Sequence, residues 1–145
     1  MPASGIKLAD ANVWLAATFS DHRHHAIARQ WFDAQPDGAC AFCRVTQLAL
    51  LRHLTNTKIM GAFVKSQQAA WTTYELLADD ARVIFLPEPA ALETTFRGLS
   101  QAASPSLDQW TDAFLAAFAI QSAAQLVTFD QGFKRFTGLD LHLLA

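Results

Sequence analysis

The chain alternates short apolar runs with longer stretches in which apolar residues recur every three or four positions. Its first stretch, Ile6 to Ala16, sets the pattern. Ile6 and Leu8 flank Lys7 as in a short strand, Asp10, Ala11 and Asn12 interrupt, and Val13, Trp14 and Leu15 begin a helix. Ala28, Trp31 and Phe32 share one face of a second helix, for which Asp21 is the expected N-cap, and Pro36, Asp37 and Gly38 close it with turn chemistry. Ala39 to Phe42 reads as a second strand. A helix beginning at Thr46 follows, with Leu48, Leu51 and Leu54 as its stripe, then a loop from Asn56 to Gly61 and a helix from about Lys65 to Ala78. Arg82 to Leu86 is the third strand, stopped by Pro87 and Pro89, and Ala90 to Ala102 is a helix burying Leu92, Phe96 and Leu99. After a break at Ser104 to Leu107, the run Asp112 to Ser122 is apolar on nearly every side, so its helix must be buried. Gln125 to Thr128 is the fourth strand, Gly132 to Phe136 a short helix or turn, and Leu139 to Leu143 a final edge strand.

Strands that alternate with helices require a mainly parallel sheet, because parallel neighbours are joined by crossovers and those crossovers are right-handed. The expected architecture is a three-layer α/β/α domain occupying residues 1–145. A composition of 52% hydrophobic and 17% charged residues supports a compact core. No window approaches the length of a membrane span, and MPASGIKLAD lacks the basic and apolar regions of a signal peptide, so a cytoplasmic protein with no membrane partner is expected. The formal charge of −2 supplies no general attraction for nucleic acid, which must therefore be held by local cations. Arg44, Arg52, Lys134 and Arg135 are the candidates, each equally readable as solvated surface charge.

The chemistry is carried by acids. In an open α/β sheet, ligands bind beyond the carboxyl ends of the strands. Asp10 lies there after the first strand, Asp130 after the fourth, and Asp112 at the start of the buried helix that leads into the fourth. Asp10 taken alone reads as a helix cap. Three carboxylates converging in a poorly solvated crevice must either gain protons or be neutralised by a divalent cation. Oxygen-only ligands suit Mg²⁺ or Mn²⁺ better than zinc, and such an ion points to phosphodiester hydrolysis. Asn12 and Thr128 are placed to add hydrogen bonds to phosphate or water. Asp108, one turn before Asp112, reads first as an N-cap and second as a further ligand. Cys40 and Cys43 have no second pair to complete a zinc site and sit in an apolar run, so they read as small buried residues. The run His22, His24, His25 opens an amphipathic helix and is assigned no ligand role. Trp14, Trp31, Trp71 and Trp110 read mostly as core, with any exposed subset suited to a partner helix.

Four segments, ADANVWLA, TQLALLRHLTN, WTDAFLAAFA and LVTFDQGFKRF, together resemble in order the PIN-domain ribonuclease toxins of the VapC type. The resemblance spans nearly the whole chain and rests on D-x-N after the first strand, D-A-x-L-A-A on the helix and T-x-D-x-G-F near the end. It implies a PIN-like, five-stranded parallel sheet and a Mg²⁺- or Mn²⁺-dependent endoribonuclease acting on RNA. It also implies a toxin of a type II toxin–antitoxin pair, whose partners are an antitoxin protein and a second copy of the chain in a homodimer. The family's metal-binding acids fall on Asp10, Asp112 and Asp130, and its accessory polar positions on Asn12 and Thr128. One position departs: many members read T-x-x-E-x-x-R where this chain has Thr46 to Arg52, which puts Ala49 in the place of a glutamate. Gln47 is uncharged and two residues away, on another face of the helix. The site then holds a single ion, holds it more weakly, or recruits Asp108. An alternative is a non-catalytic PIN-like module that binds RNA or protein, and a third reading is a metal-dependent enzyme acting on DNA or a small phosphoester.

Overall fold

The computed structural model describes residues 4–102 and 104–145. Five short strands form one sheet: β1 (Lys7–Ala9), β2 (Cys40–Phe42), β3 (Val83–Phe85), β4 (Gln125–Thr128) and β5 (Leu141–Leu143). They run in the order β3-β2-β1-β4-β5, and every neighbouring pair is parallel. Parallel neighbours need crossovers, and helices supply most of them. Helices α1 (Ala11–Thr18) and α2 (His25–Asp33) link β1 to β2, while α3 (Arg44–Leu54), α4 (Thr57–Met60) and α5 (Gln67–Ala78) link β2 to β3. Helices α6 (Leu92–Leu99) and α7 (Gln109–Gln121) carry the chain from β3 to β4.

Alternation along each strand divides the core between two faces. Ala9, Cys40, Phe42 and Val127 pack with Trp14, Phe32, Leu50 and Leu77 beneath the first helical layer. Leu8, Ala41 and Leu126 pack with Ala113, Ala116, Ala117 and Phe118 of α7 on the other side. This is the expected α/β/α sandwich. Trp14 anchors the first face, its ring stacked at 4.1 Å on Phe42 and edge-on at 5.8 Å to Phe32. Trp31 is also buried, whereas Trp71 and Trp110 are exposed. The alanine-rich face of α7 lets that helix lie close to the sheet, which brings its first turn near the strand ends. Because the chain builds outward from β1 to β3 and then returns to the other side of β1, the strand order reverses between β1 and β4. The crevice over their carboxyl ends is the topological switch point where such sheets bind ligands.

Several local expectations change. The segment expected as a loop from Asn56 to Gly61 contains α4, because the Asn56 side chain accepts from Lys58 N at 2.9 Å and caps a single turn, which Gly61 ends at φ +56°. Helix α2 begins at His25, not after Asp21, since Ser20 to His24 form turns in which His22 Nδ1 accepts from His24 N at 3.0 Å. Helix α3 begins at Arg44; Thr46 is its third residue, reaching back so that Oγ1 accepts from Cys43 N at 3.0 Å. Its buried stripe is Leu50 and Leu54, while Leu48 is 51% exposed. Helix α6 is shorter than expected, and α7 begins three residues before Asp112. Among the described residues, no helix is long and apolar enough to cross a membrane.

Candidate active site

Strands β1 and β4 pair with Ala9 opposite Val127, so Asp10 and Thr128 leave the sheet side by side. The ladder extends to Asp10 N, which donates to Val127 O at 2.9 Å. The Thr128 hydroxyl, fully buried, donates to Asp10 Oδ2 at 2.9 Å and accepts from Asp130 N at 3.0 Å and Asn12 Nδ2 at 3.3 Å. One donor and two lone pairs are all a hydroxyl has. The sequence reading gives Thr128 a contact to phosphate or water; with its capacity used and no exposed surface, it instead ties Asp10, Asn12 and Asp130 together. Asn12 Oδ1 accepts from Phe129 N at 3.4 Å, which orients the amide. The other Asp10 oxygen accepts from Ala11 N at 2.7 Å, so Asp10 caps α1 while its second oxygen is held by Thr128.

Asp112, in the first turn of α7, approaches from the opposite helical layer. Its Oδ2 lies 3.1 Å from Arg135 Nη2. Arg135 also donates through Nη1 to the Gly132 carbonyl and sits 4.4 Å above the Phe136 ring. Asp130 Oδ1 accepts from Gly132 N at 2.8 Å. Asp108, Thr111, Asp112, Asp130, Gly132 and Arg135 line a crevice of about 630 Å³. The capping bond expected of Asp108 is not made: its dihedrals are already helical, and its side chain lines the crevice.

Burial raises the Asp10 carboxyl to about 6; its hydrogen bonds from Thr128 and Ala11 oppose the shift, and the charges of Asp112 and Asp130 add to it. Burial also raises Asp112, against the pull of Arg135 and with help from Asp130 and Asp108. The three acids therefore feel one another. Among the described residues, however, no three acidic, imidazole or thiol side chains are closed into a ready coordination shell. Oxygen donors with unfavourable mutual charge fit Mg²⁺ or Mn²⁺ in kind.

The remaining candidates are spread out. Arg44 lies at the sheet's carboxyl edge, 4.7 Å over the Phe85 ring, and donates to Gln47 at 2.6 Å, which engages that buried amide away from any ligand role. Arg52, eight residues on, is about 12 Å further along α3 at the helical rise. Lys134 is exposed beside Arg135, and Ala49 is half-buried on α3. Cys40 and Cys43 are buried, and burial pushes the Cys40 thiol up to about 12. His24 stacks on Phe129 at 4.6 Å, a packing role. Gly132, visible in the sequence only as part of a motif and a turn, has a role at the site: a Cβ there would meet Arg135 Nη1 at 2.9 Å and Asp130 Oδ1 at 3.0 Å. The D-x-G spacing in TFDQGF was the available signal.

The family model for the PIN domain matches residues 7–139. Ribonuclease VapC41 of Mycobacterium tuberculosis is 41% identical over 143 residues, spanning 95% of this chain and 98% of the relative. Ribonuclease VapC29 of the same organism is 32% identical over 131 residues, spanning 90% of each. Two solved structures share the fold at low identity. VapBC2 from Rickettsia felis, bound to a DNA fragment from their promoter, gives a TM-score of 0.67 at 16% identity over 97% of this chain and 99% of that one. Mycobacterium tuberculosis VapC20, a Sarcin-Ricin loop cleaving toxin, gives 0.65 at 15% identity over 92% and 98%. With the fold, the family model and the relatives in agreement, the chain belongs to the PIN-domain family, as a protein of the VapC type.

Proposed function

We propose that this chain is a divalent-cation-dependent endoribonuclease and the toxin of a type II toxin–antitoxin pair. The observation that carries the reading is the buried Thr128 hydroxyl, which gathers Asp10, Asn12 and Asp130 at the β1/β4 switch point opposite Asp112. Asp10, Asp112 and Asp130 are the residues that would hold Mg²⁺ or Mn²⁺. Bound there, the ion supplies Lewis-acid charge to the scissile phosphate and to the attacking water. Thr128 holds Asp10 in orientation. Asn12 commits one amide hydrogen to Thr128 and keeps the other for phosphate or water. Kinship to proteins named ribonucleases supports RNA as substrate, and likeness to VapBC assemblies supports an antitoxin partner.

Cleavage of a structured RNA by the wild type and by Asp10→Asn, each with and without EDTA, tests this. Activity should vanish in the variant and in the chelator; activity that survives either sinks the reading. Ala49, standing where an acid is common, favours a second reading as a non-catalytic binding module. Calorimetry without divalent uptake, together with expression that leaves host growth unchanged, would establish that second reading.

A further inference from the structure

Arg135 is a cation that the fold builds into the acidic crevice, and its placement is specific. Its guanidinium meets Asp112 Oδ2 at 3.1 Å, donates to the Gly132 carbonyl and lies 4.4 Å over the Phe136 ring. Gly132 makes room for it, since a Cβ there would stand 2.9 Å from Arg135 Nη1. The pair sits at the mouth of the crevice, with side chains 35% and 23% exposed. Asp112 Oδ2 therefore faces a fixed positive charge, and among the described residues the acids do not form a closed shell of three. Arg135 occupies only Oδ2, so Asp112 must release the guanidinium to give both of its oxygens to a cation shared with Asp10 and Asp130. A guanidinium so released is a planar fork matched to two phosphate oxygens, beside the crevice that the RNA would enter.

We propose that Arg135 is a resident counter-ion of the acidic site, which competes with the divalent cation for Asp112 and moves onto an RNA phosphate once the cation is bound. This rests on the nuclease reading above. Calorimetric titration with Mn²⁺ should show Arg135→Gln binding the ion about fivefold more tightly than wild type, because a competing positive charge has gone. Lys134→Gln, which removes the neighbouring charge, should leave Mn²⁺ affinity unchanged. For a short single-stranded RNA, Arg135→Gln should raise KM about tenfold and reduce its dependence on log salt by about one, with a smaller change in kcat. Arg135→Lys keeps the charge without the fork, gives an intermediate Mn²⁺ affinity, and carries the comparison if the glutamine variant does not fold. Unchanged or weaker Mn²⁺ binding by Arg135→Gln, in a wild type that binds Mn²⁺ and cleaves RNA, overturns the proposal alone. A wild type that does neither overturns the nuclease reading and the proposal together.

Discussion

Replacing Asp10 by asparagine should stabilise the metal-free protein near neutral pH and destabilise it in acid. The folded carboxyl is raised from 3.8 to about 6, chiefly by burial, so the native state favours its protonated form. Each pKa unit corresponds to about 1.4 kcal/mol, which puts the cost of keeping Asp10 ionised at about 3 kcal/mol near pH 7.5. That cost is absent below the unfolded value of 3.8, grows as the unfolded chain loses its proton, and is complete above about 6. Asparagine removes the charge but also one acceptor. The Thr128 hydroxyl donates to Asp10 Oδ2 while accepting from Asp130 N and Asn12 Nδ2, so an amide nitrogen at the Oδ2 position leaves its proton unpaired. The lost bond costs about 1–2 kcal/mol. The balance is a stabilisation of about 1–2 kcal/mol near pH 7.5 and a destabilisation of about 1 kcal/mol near pH 4. Urea unfolding in EDTA at the two pH values measures both numbers. Added Mg²⁺ near pH 7.5 should stabilise the wild type and not the variant, because only a native state that binds the ion gains from it. An effect of the same sign and size at both pH values would refute the account of Asp10 as a carboxylate held ionised against burial.

Thr128→Val keeps the shape and removes the hydroxyl, leaving Asp130 N and the Asn12 amide without their acceptor. Unfolding should show a loss of about 2–4 kcal/mol, and the Asp10 carboxyl, followed by NMR, should titrate above its present value of about 6; Thr128→Ser should restore both. Gly132→Ala sets a methyl against the ends of the Arg135 and Asp130 side chains, which can move aside. Its stability should therefore change by less than about 1 kcal/mol while RNA cleavage falls, and equal losses in both would show that Gly132 serves the fold and not the site. Trp14 buries an indole N–H that has no hydrogen-bond partner among the described residues. Trp14→Phe should then cost less than about 2 kcal/mol by denaturation, since relief of the orphaned donor offsets part of the lost packing.

Periodicity was enough to establish the layers. The runs around Lys7–Ala9, Cys40–Phe42 and Gln125–Thr128 are buried on both faces and separated by helical stretches, and that pattern leaves little besides a parallel sheet between helices. Asp10, Asp112 and Asp130 were visible as acids at strand or helix ends because position along an element is a local property. Local signals also misplaced details. Leu48 and Leu50 differ by two residues yet lie on opposite sides of α3, and only the sheet beneath the helix selects which is buried. Strand order, which sets β4 beside β1 and so creates the crevice, depends on packing between segments more than a hundred residues apart. The same is true of hydrogen-bond ownership. Nothing in the sequence says that Thr128 spends its hydroxyl on Asp10, that Asp108 caps nothing, or that Arg135 reaches across 23 positions to Asp112. Residue type and spacing determine which groups can do chemistry and which element carries each, because those follow from short-range sterics and burial. Which donor meets which acceptor is decided only when distant segments share one crevice and compete there for the same partners.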